Sequence, residues 1–359
     1  MRLAFAAGDV GGARALLPVA RAAHDDPRYQ VAALAHGPLQ IEGGSNWLWL
    51  NAEDLATQAT DVLLFATSVA DRAAYDLAAR MQNQGVPILH VLDNWSNYLS
   101  RMEGGGARAP LIPNVYAVMD DLARREALVE GVPSAILHIT GHPNLAQLSQ
   151  ERALYNTSLP NGPTTNLLFV SEPVIADSGP AEASGSRGYD EISVAQGFVE
   201  ALIQLELPAQ SRLRLLIAPH PREDRLAVAA RWQGYAESYT HARDSSLDWS
   251  LVPPDGVRAA LHQSQAVVGM TSILLYEAWL LGKRVASVQP GLQGTQLRTL
   301  EQRKGLVFCD SISNLKATVQ HLIDPNSPIG EGHSELENHK KATASILTLA
   351  KQLATAKSS

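Results

Sequence analysis

Five stretches of this sequence combine glycines, hydroxyls, carboxylates and histidines in ways that suit an oxygen-rich ligand. The first is Gly8-Asp9-Val10-Gly11-Gly12-Ala13-Arg14, between an apolar run and a helical one. Glycines there let the backbone turn tightly and approach a ligand, and a helix N-terminus offers unpaired N–H groups. The spacing Gly-x-x-Gly-Gly departs from the dinucleotide fingerprint, and no acidic residue closes the second strand. Asp9, at a strand's carboxyl end, is placed to act as a general base or to cap the helix, while Gly11 and Gly12 shape an acceptor-side turn. The second stretch is Asp93-Asn94-Trp95-Ser96-Asn97-Tyr98, with Arg101 beyond it. Its amide and carboxylate groups suit sugar hydroxyls, and its rings either stack on a sugar face or pack into the core. The third, Thr140-Gly141-His142-Pro143-Asn144, is a turn by composition and adds His142 to the acceptor or sugar candidates.

In the fourth stretch, Ala218-Pro219-His220-Pro221-Arg222, two prolines hold His220 extended. A rigid histidine at a strand's end can donate a hydrogen bond to a phosphate and stabilise a departing nucleotide. The fifth runs from Val267 through Gly269-Met270-Thr271-Ser272 and Glu277 to Gly282-Lys283. Thr271-Ser272 opens a helix and Gly282 ends it, so the hydroxyls and free N–H groups of 270–272 form an anion site. Glu277 is the one charge in an apolar helix and is not at the capping-box position. A carboxylate on the buried side needs a partner, which ribose hydroxyls would supply; otherwise Glu277 faces solvent or pairs with an arginine.

These stretches fall at the ends of runs that read as strands. In the first half, 3–7, 29–34, 61–66, 87–92, 114–118 and 136–139 are apolar, with helical spacing over 13–23, 70–82 and 120–130. A second series has strands at 166–170, 213–218, 266–269, 284–287 and 306–308, with helices at 191–205, 224–232, 257–263 and 273–281 and a polar loop over 176–188. Continuous apolar strands alternating with helices predict parallel sheets covered on both faces. The expected architecture is α/β: two doubly wound Rossmann-like domains facing across a cleft, residues 1–155 on the acceptor side and 165–335 holding a nucleotide sugar. The linker falls near 150–165, where Asn, Pro and Gly accumulate. An Ala/Leu/Lys-rich helix over 339–354 belongs to a tail, 336–359, that packs back on the first domain.

At 359 residues the chain suits two domains. With 45% apolar and 18% charged residues and a net charge of -7, it has material for two cores and no basic block to bind nucleic acid. Cys309 is the single cysteine, so neither an internal disulfide nor a cysteine zinc site is available. Residues 1–9 are too short an apolar run for a signal peptide, and no run is long enough to span a membrane. Together these features predict a cytoplasmic protein, with at most peripheral membrane contact.

Gly269-Met270-Thr271-Ser272, Glu277-Ala278 and Leu281-Gly282-Lys283 resemble the donor-nucleotide motif of GT-B enzymes. That superfamily includes the glycosyltransferases and the non-hydrolysing UDP-N-acetylglucosamine 2-epimerases. Pro219-His220-Pro221 is similar to the His-Pro motif of capsule-type sialyltransferases and glycerophosphotransferases. The resemblance implies His220 and Ser272 on phosphate, Glu277 on ribose, and a base from the first domain, which suits Asp9. It departs from the epimerases at 289–294, where Gln289-Pro290-Gly291-Leu292-Gln293-Gly294 replaces a Thr-Glu-Arg-Pro-Glu-like loop. No Asp-x-Asp metal motif is present, and the GT-B type needs neither metal nor cofactor. The expected function is therefore an inverting, metal-independent glycosyltransferase of polysaccharide biosynthesis, moving a sugar from a nucleotide donor to an acceptor hydroxyl. A sugar-nucleotide 2-epimerase or hydrolase, or a non-catalytic protein of the same fold, is the alternative.

Overall fold

The computed structural model describes all residues except 67–71, 104–109, 150, 152–163, 206–211, 295–296 and 358–359. The chain forms two units, one of Met1–Gln150 with Glu335–Ser359 and one of Glu151–Ser334. Of the expected linker, residues 150 and 152–163 lie outside the described residues, and Thr164 already begins a strand.

The first unit is built on seven strands: β1 (Arg2–Ala6), β2 (Gln30–Leu34), β3 (Leu48–Leu50), β4 (Val62–Phe65), β5 (Ile88–Val91), β6 (Val115–Val118) and β7 (Leu137–Ile139). All pair in parallel, in the order β3-β2-β1-β4-β5-β6-β7. Strands such as Val62–Phe65 are buried at every position, because helices cover both faces and neither side of the pleat meets water. Leu3 and Phe5 enter one core with Leu16 and Val19, while Ala4 and Ala6 enter the other with Leu77 and Met81. The last helix, Ala342–Lys357, buries Ile346 and Ala350 in the first of these cores.

The second unit has six parallel strands: β8 (Thr164–Val170), β9 (Arg212–Ala218), β10 (Asp248–Leu251), β11 (Ala266–Gly269), β12 (Arg284–Val288) and β13 (Leu306–Cys309). Their order is β10-β9-β8-β11-β12-β13. Phe169 of β8 packs against Phe198 and Trp232, with ring centroids 5.5 and 5.1 Å away, so the helices Glu191–Ile203 and Arg225–Arg243 clamp one face. In each sheet the strand order reverses beside its first strand, between β1 and β4 and between β8 and β11. Ligands of open α/β sheets sit beyond the carboxyl ends of strands at such reversals.

Several elements differ from the sequence reading. The sequence reading contains neither edge strand: β3 is only three residues long, Leu-Trp-Leu, and β10 mixes Asp and Ser with Trp and Leu, as a half-solvated edge allows. The helix Arg225–Arg243 runs well past residue 232, and Leu315–Ile323 is a further helix. The tail begins with a separate helix, His333–His339, ahead of Ala342–Lys357. No described helix is long and apolar enough to cross a membrane.

Candidate functional site

In the first unit, the turn after β1 brings Asp9 to the N-cap of the helix Val10–His24, where its Oδ1 accepts from the Gly12 N–H at 2.7 Å. The capping role weighed from sequence is thus realised. Gly12 packs closely there: a Cβ would lie 3.1 Å from the Ala66 carbonyl oxygen, just after β4. At Gly11 a Cβ would stand 2.2 Å from Asp93 Oδ2 and 3.4 Å from Asp9 Oδ1. The two carboxyl groups therefore converge over the Gly11 Cα, as far as the sequence alone could not show.

Asp93 follows β5 and is buried with Arg101, whose Nη1 donates to Asp93 Oδ1 at 2.5 Å. The Arg101 Nε donates to the Ser96 carbonyl at 3.1 Å, which fixes the guanidinium. Burial pushes the Asp93 carboxyl above its ordinary value; Arg101 pulls it down and Asp9 pushes it further up. His142 lies beyond β7 and is also buried. Its Nε2 is 3.3 Å from the Asp93 carbonyl oxygen. A carbonyl only accepts, so Nε2 carries the proton. The buried Nδ1 is left as an acceptor without a partner among the described residues. Burial lowers the His142 pKa to about 4, which keeps the ring neutral at pH 7.

Two members of the Asp93–Tyr98 stretch are structural. Trp95 is buried and its Nε1 donates to both carboxylate oxygens of Asp120 at 3.0 and 3.1 Å, so its face is not offered for sugar stacking. The Tyr98 hydroxyl donates to Glu126 at 2.7 Å. Asn94 is exposed, and its Oδ1 accepts from the Trp95 N–H at 2.8 Å.

In the second unit, Ser272 caps the helix Ile273–Leu280, accepting from the Leu274 N–H at 3.3 Å. The donors expected to hold phosphate are already engaged. Glu172, just after β8, accepts from the Thr271 N–H at 2.6 Å and the Ser272 N–H at 2.7 Å through Oε1, and from the Thr271 hydroxyl through Oε2. A carboxylate of the protein thus sits at the helix N-terminus, on the β8/β11 reversal. Met270 does not line this seat with its side chain, which is fully buried in the core. Its carbonyl accepts from Ser287 Oγ at 2.6 Å and Gln289 Nε2 at 3.2 Å.

His220 follows β9. Its backbone N–H donates to Glu223 Oε2 at 2.7 Å, and its Nδ1 accepts from the Arg222 N–H at 3.1 Å. With Nδ1 receiving a proton, Nε2 is the donor of the neutral ring. Burial, then the Arg222 charge, holds the His220 pKa below its ordinary value. Ser171 donates to the other Glu223 oxygen at 2.8 Å, and burial pushes the Glu223 carboxyl up. Arg222 forms a two-bond pair with Asp177 at 2.7 and 2.9 Å.

Glu277 is buried, and its Oε2 pairs with Arg258 Nη1. The Arg258 Nε lies 3.3 Å from Glu151, which also meets His262 Nε2 at 2.9 Å. An arginine therefore supplies the partner that Glu277 requires. At 289–294, where the sequence departs from the epimerase pattern, Gln289 is fully buried and uncharged. Its Nε2 donates to Ser287 Oγ at 2.9 Å and the Leu297 carbonyl at 3.1 Å, and the Tyr189 hydroxyl donates to its Oε1 at 3.2 Å.

Glu172, Arg258, Glu151 and Glu223 were not singled out from sequence. Of these only Glu172 carried a usable signal: a carboxylate in Ser171-Glu172-Pro173, directly after the strand beside the sheet's reversal.

No family model and no curated protein matches this sequence. Solved structures do. The chain is similar to the UDP-GlcNAc 2-epimerase of Methanocaldococcus jannaschii, at 13% identity over 98% of this chain and 100% of that one, with a TM-score of 0.66. It is also similar to the UDP-GlcNAc 2-epimerase of Neisseria meningitidis bound to UDP-GlcNAc, at 11% identity over 98% and 99% with a TM-score of 0.61. A third likeness is Anabaena HepE in complex with UDP and glucose, at 13% identity over 100% and 99% with a TM-score of 0.53. At such identities the likeness establishes the fold, two doubly wound α/β units of the GT-B type, over the whole chain.

Proposed function

We propose that this chain is an enzyme that binds a nucleotide-activated sugar and turns over that donor itself, as a 2-epimerase or hydrolase. The observation that carries the reading is the three-donor anion seat of Thr271 and Ser272 at the β8/β11 reversal, now holding the Glu172 carboxylate. A helix N-terminus with a hydroxyl and two convergent N–H groups suits a phosphate. In this reading the donor's phosphates take the place of Glu172, His220 Nε2–H donates to them, and Glu277 reaches the ribose from its pair with Arg258. The solved neighbours named for UDP-GlcNAc and UDP support a uridine nucleotide as the first candidate.

The first unit supplies acid–base groups. Asp9 and Asp93 converge over Gly11, and burial pushes one of them up. Two carboxyl groups in unlike environments are what proton exchange on a donor requires. His142, buried and neutral, holds the Asp93 main chain beside them through Nε2.

A second reading, transfer of the sugar to an acceptor hydroxyl with Asp9 as base, is favoured by the Gln289 network. An uncharged, fully bonded amide stands where the epimerases carry charged residues. Both readings share the nucleotide seat, which a melting screen across UDP, GDP, CMP, CDP and dTDP tests. A ligand at a hundred times its Kd adds about 2.7 kcal/mol to the folded state, so UDP is expected to raise the melting temperature. A panel in which no nucleotide shifts it contradicts the seat.

A further inference from the structure

We propose that His339, carried by the C-terminal segment Glu335–Ser359, is a positioning residue of the acid–base cluster in the first unit. The proposal rests on the reading of Asp9, Asp93 and His142 as that cluster. His339 is buried, and its Nδ1 accepts the backbone N–H of His142 at 3.1 Å, a contact across 197 residues of sequence. Gly141 shows how closely the two segments lie. Its φ is +83°, and a Cβ there would stand 2.9 Å from the Asn338 carbonyl oxygen and 3.0 Å from the His339 Cα. Only a residue without a side chain satisfies both the left-handed backbone and the close approach.

From that anchor the geometry passes inward. His142, held by its own N–H, directs Nε2–H to the Asp93 carbonyl. Asp93 in turn sets its carboxyl between Arg101 and the Gly11 Cα, beside Asp9. His339 meets His142 at its backbone N–H, so its effect on the cluster passes through His142. Without an acceptor at this point the buried His142 N–H has no partner, and the turn at 140–144 is free to shift. A displacement of even 1 Å at reacting groups costs on the order of a hundredfold in rate.

Two variants separate positioning from packing. His339→Leu keeps most of the buried volume and removes the acceptor, whereas His339→Asn keeps an acceptor oxygen at similar reach. Side-chain ¹⁵N spectra of histidine-labelled protein follow the His142 ring, assigned by its loss in His142→Gln. Steady-state turnover of UDP-GlcNAc and calorimetry with UDP follow function. His339→Leu is expected to perturb the His142 ring signals and to lower kcat at least tenfold, with KM and UDP affinity within twofold of wild type. His339→Asn is expected to restore kcat to within about threefold. Wild-type ring signals and kcat in His339→Leu overturn the proposal, as does an asparagine variant no better than leucine. If the wild-type protein does not turn over UDP-GlcNAc, the functional reading fails by itself. The ring signals then still decide whether His339 positions His142.

Discussion

Replacing Glu172 with glutamine gives two changes of opposite sign. Its carboxylate takes three hydrogen bonds from Thr271 and Ser272 at the start of the helix Ile273–Leu280. Hydrogen bonds to a charged group contribute about 1.5–3 kcal/mol and neutral ones about 0.5–1.5. Neutralising the acceptor therefore removes roughly 1 kcal/mol per bond, and the loss of a negative charge at a helix N-terminus removes about 0.3–1 more. The total is about 3–4 kcal/mol, so Glu172→Gln should melt earlier. The same change weakens the competitor that a nucleotide phosphate must displace. Apparent affinity is intrinsic affinity reduced by the fraction of protein with the seat open, and 1.4 kcal/mol is a factor of ten. Calorimetric titration with UDP should therefore show about a hundred- to a thousandfold tighter binding by Glu172→Gln despite its lower melting temperature. General loosening of the fold weakens binding and stability together. Affinity equal to or below wild type would refute the idea that phosphate and Glu172 share one seat.

Glu277→Gln should weaken UDP binding by roughly 1.5–3 kcal/mol if its charge meets the ribose, with little loss of fold because Arg258 keeps Glu151; unchanged calorimetric affinity removes that role. Asp9→Asn should cut turnover by about 10²–10⁴ with a near-normal melting temperature, because asparagine caps a helix about as well; near-wild-type turnover moves the base elsewhere. Gly11→Ala should cost about 1–3 kcal/mol in denaturant unfolding, since its Cβ would fall 2.2 Å from Asp93 Oδ2 and Arg101 holds that carboxyl in place. His142 predicts acid sensitivity. Its folded pKa of about 4 lies below the unfolded 6.5, so between these values the unfolded chain binds the proton and stability falls as pH drops, by up to about 3 kcal/mol. His142→Gln should flatten that part of the stability profile between pH 6.5 and 4, and an unchanged slope contradicts the assignment.

The sheets were legible because parallel strands are buried on both faces: Val-Leu-Leu-Phe at 62–65 and Val-Tyr-Ala-Val at 115–118 admit no amphipathic reading. Leu48–Leu50 escaped notice because three apolar residues make a short run, and Asp248–Leu251 because a half-solvated edge strand admits Asp and Ser. The candidate loops were legible for a related reason, since each follows a strand that could be recognised. Their partners were not. Glu172 reaches Thr271 across 99 residues and His339 reaches His142 across 197, and no local spacing encodes such contacts. Trp95 shows the converse limit. Its aromatic-polar neighbourhood reads as a sugar platform, but the Asp120 carboxylate, 25 residues on, draws its indole into the interior.

Incubation of the purified protein with UDP-GlcNAc and no acceptor, followed by proton NMR, tests the central claim most directly. The account predicts that the donor is consumed, giving its 2-epimer or free sugar with UDP, and that Asp9→Asn slows this by about 10² or more. A donor that binds yet stays intact alone, and is consumed only when a hydroxyl acceptor is added, would contradict it.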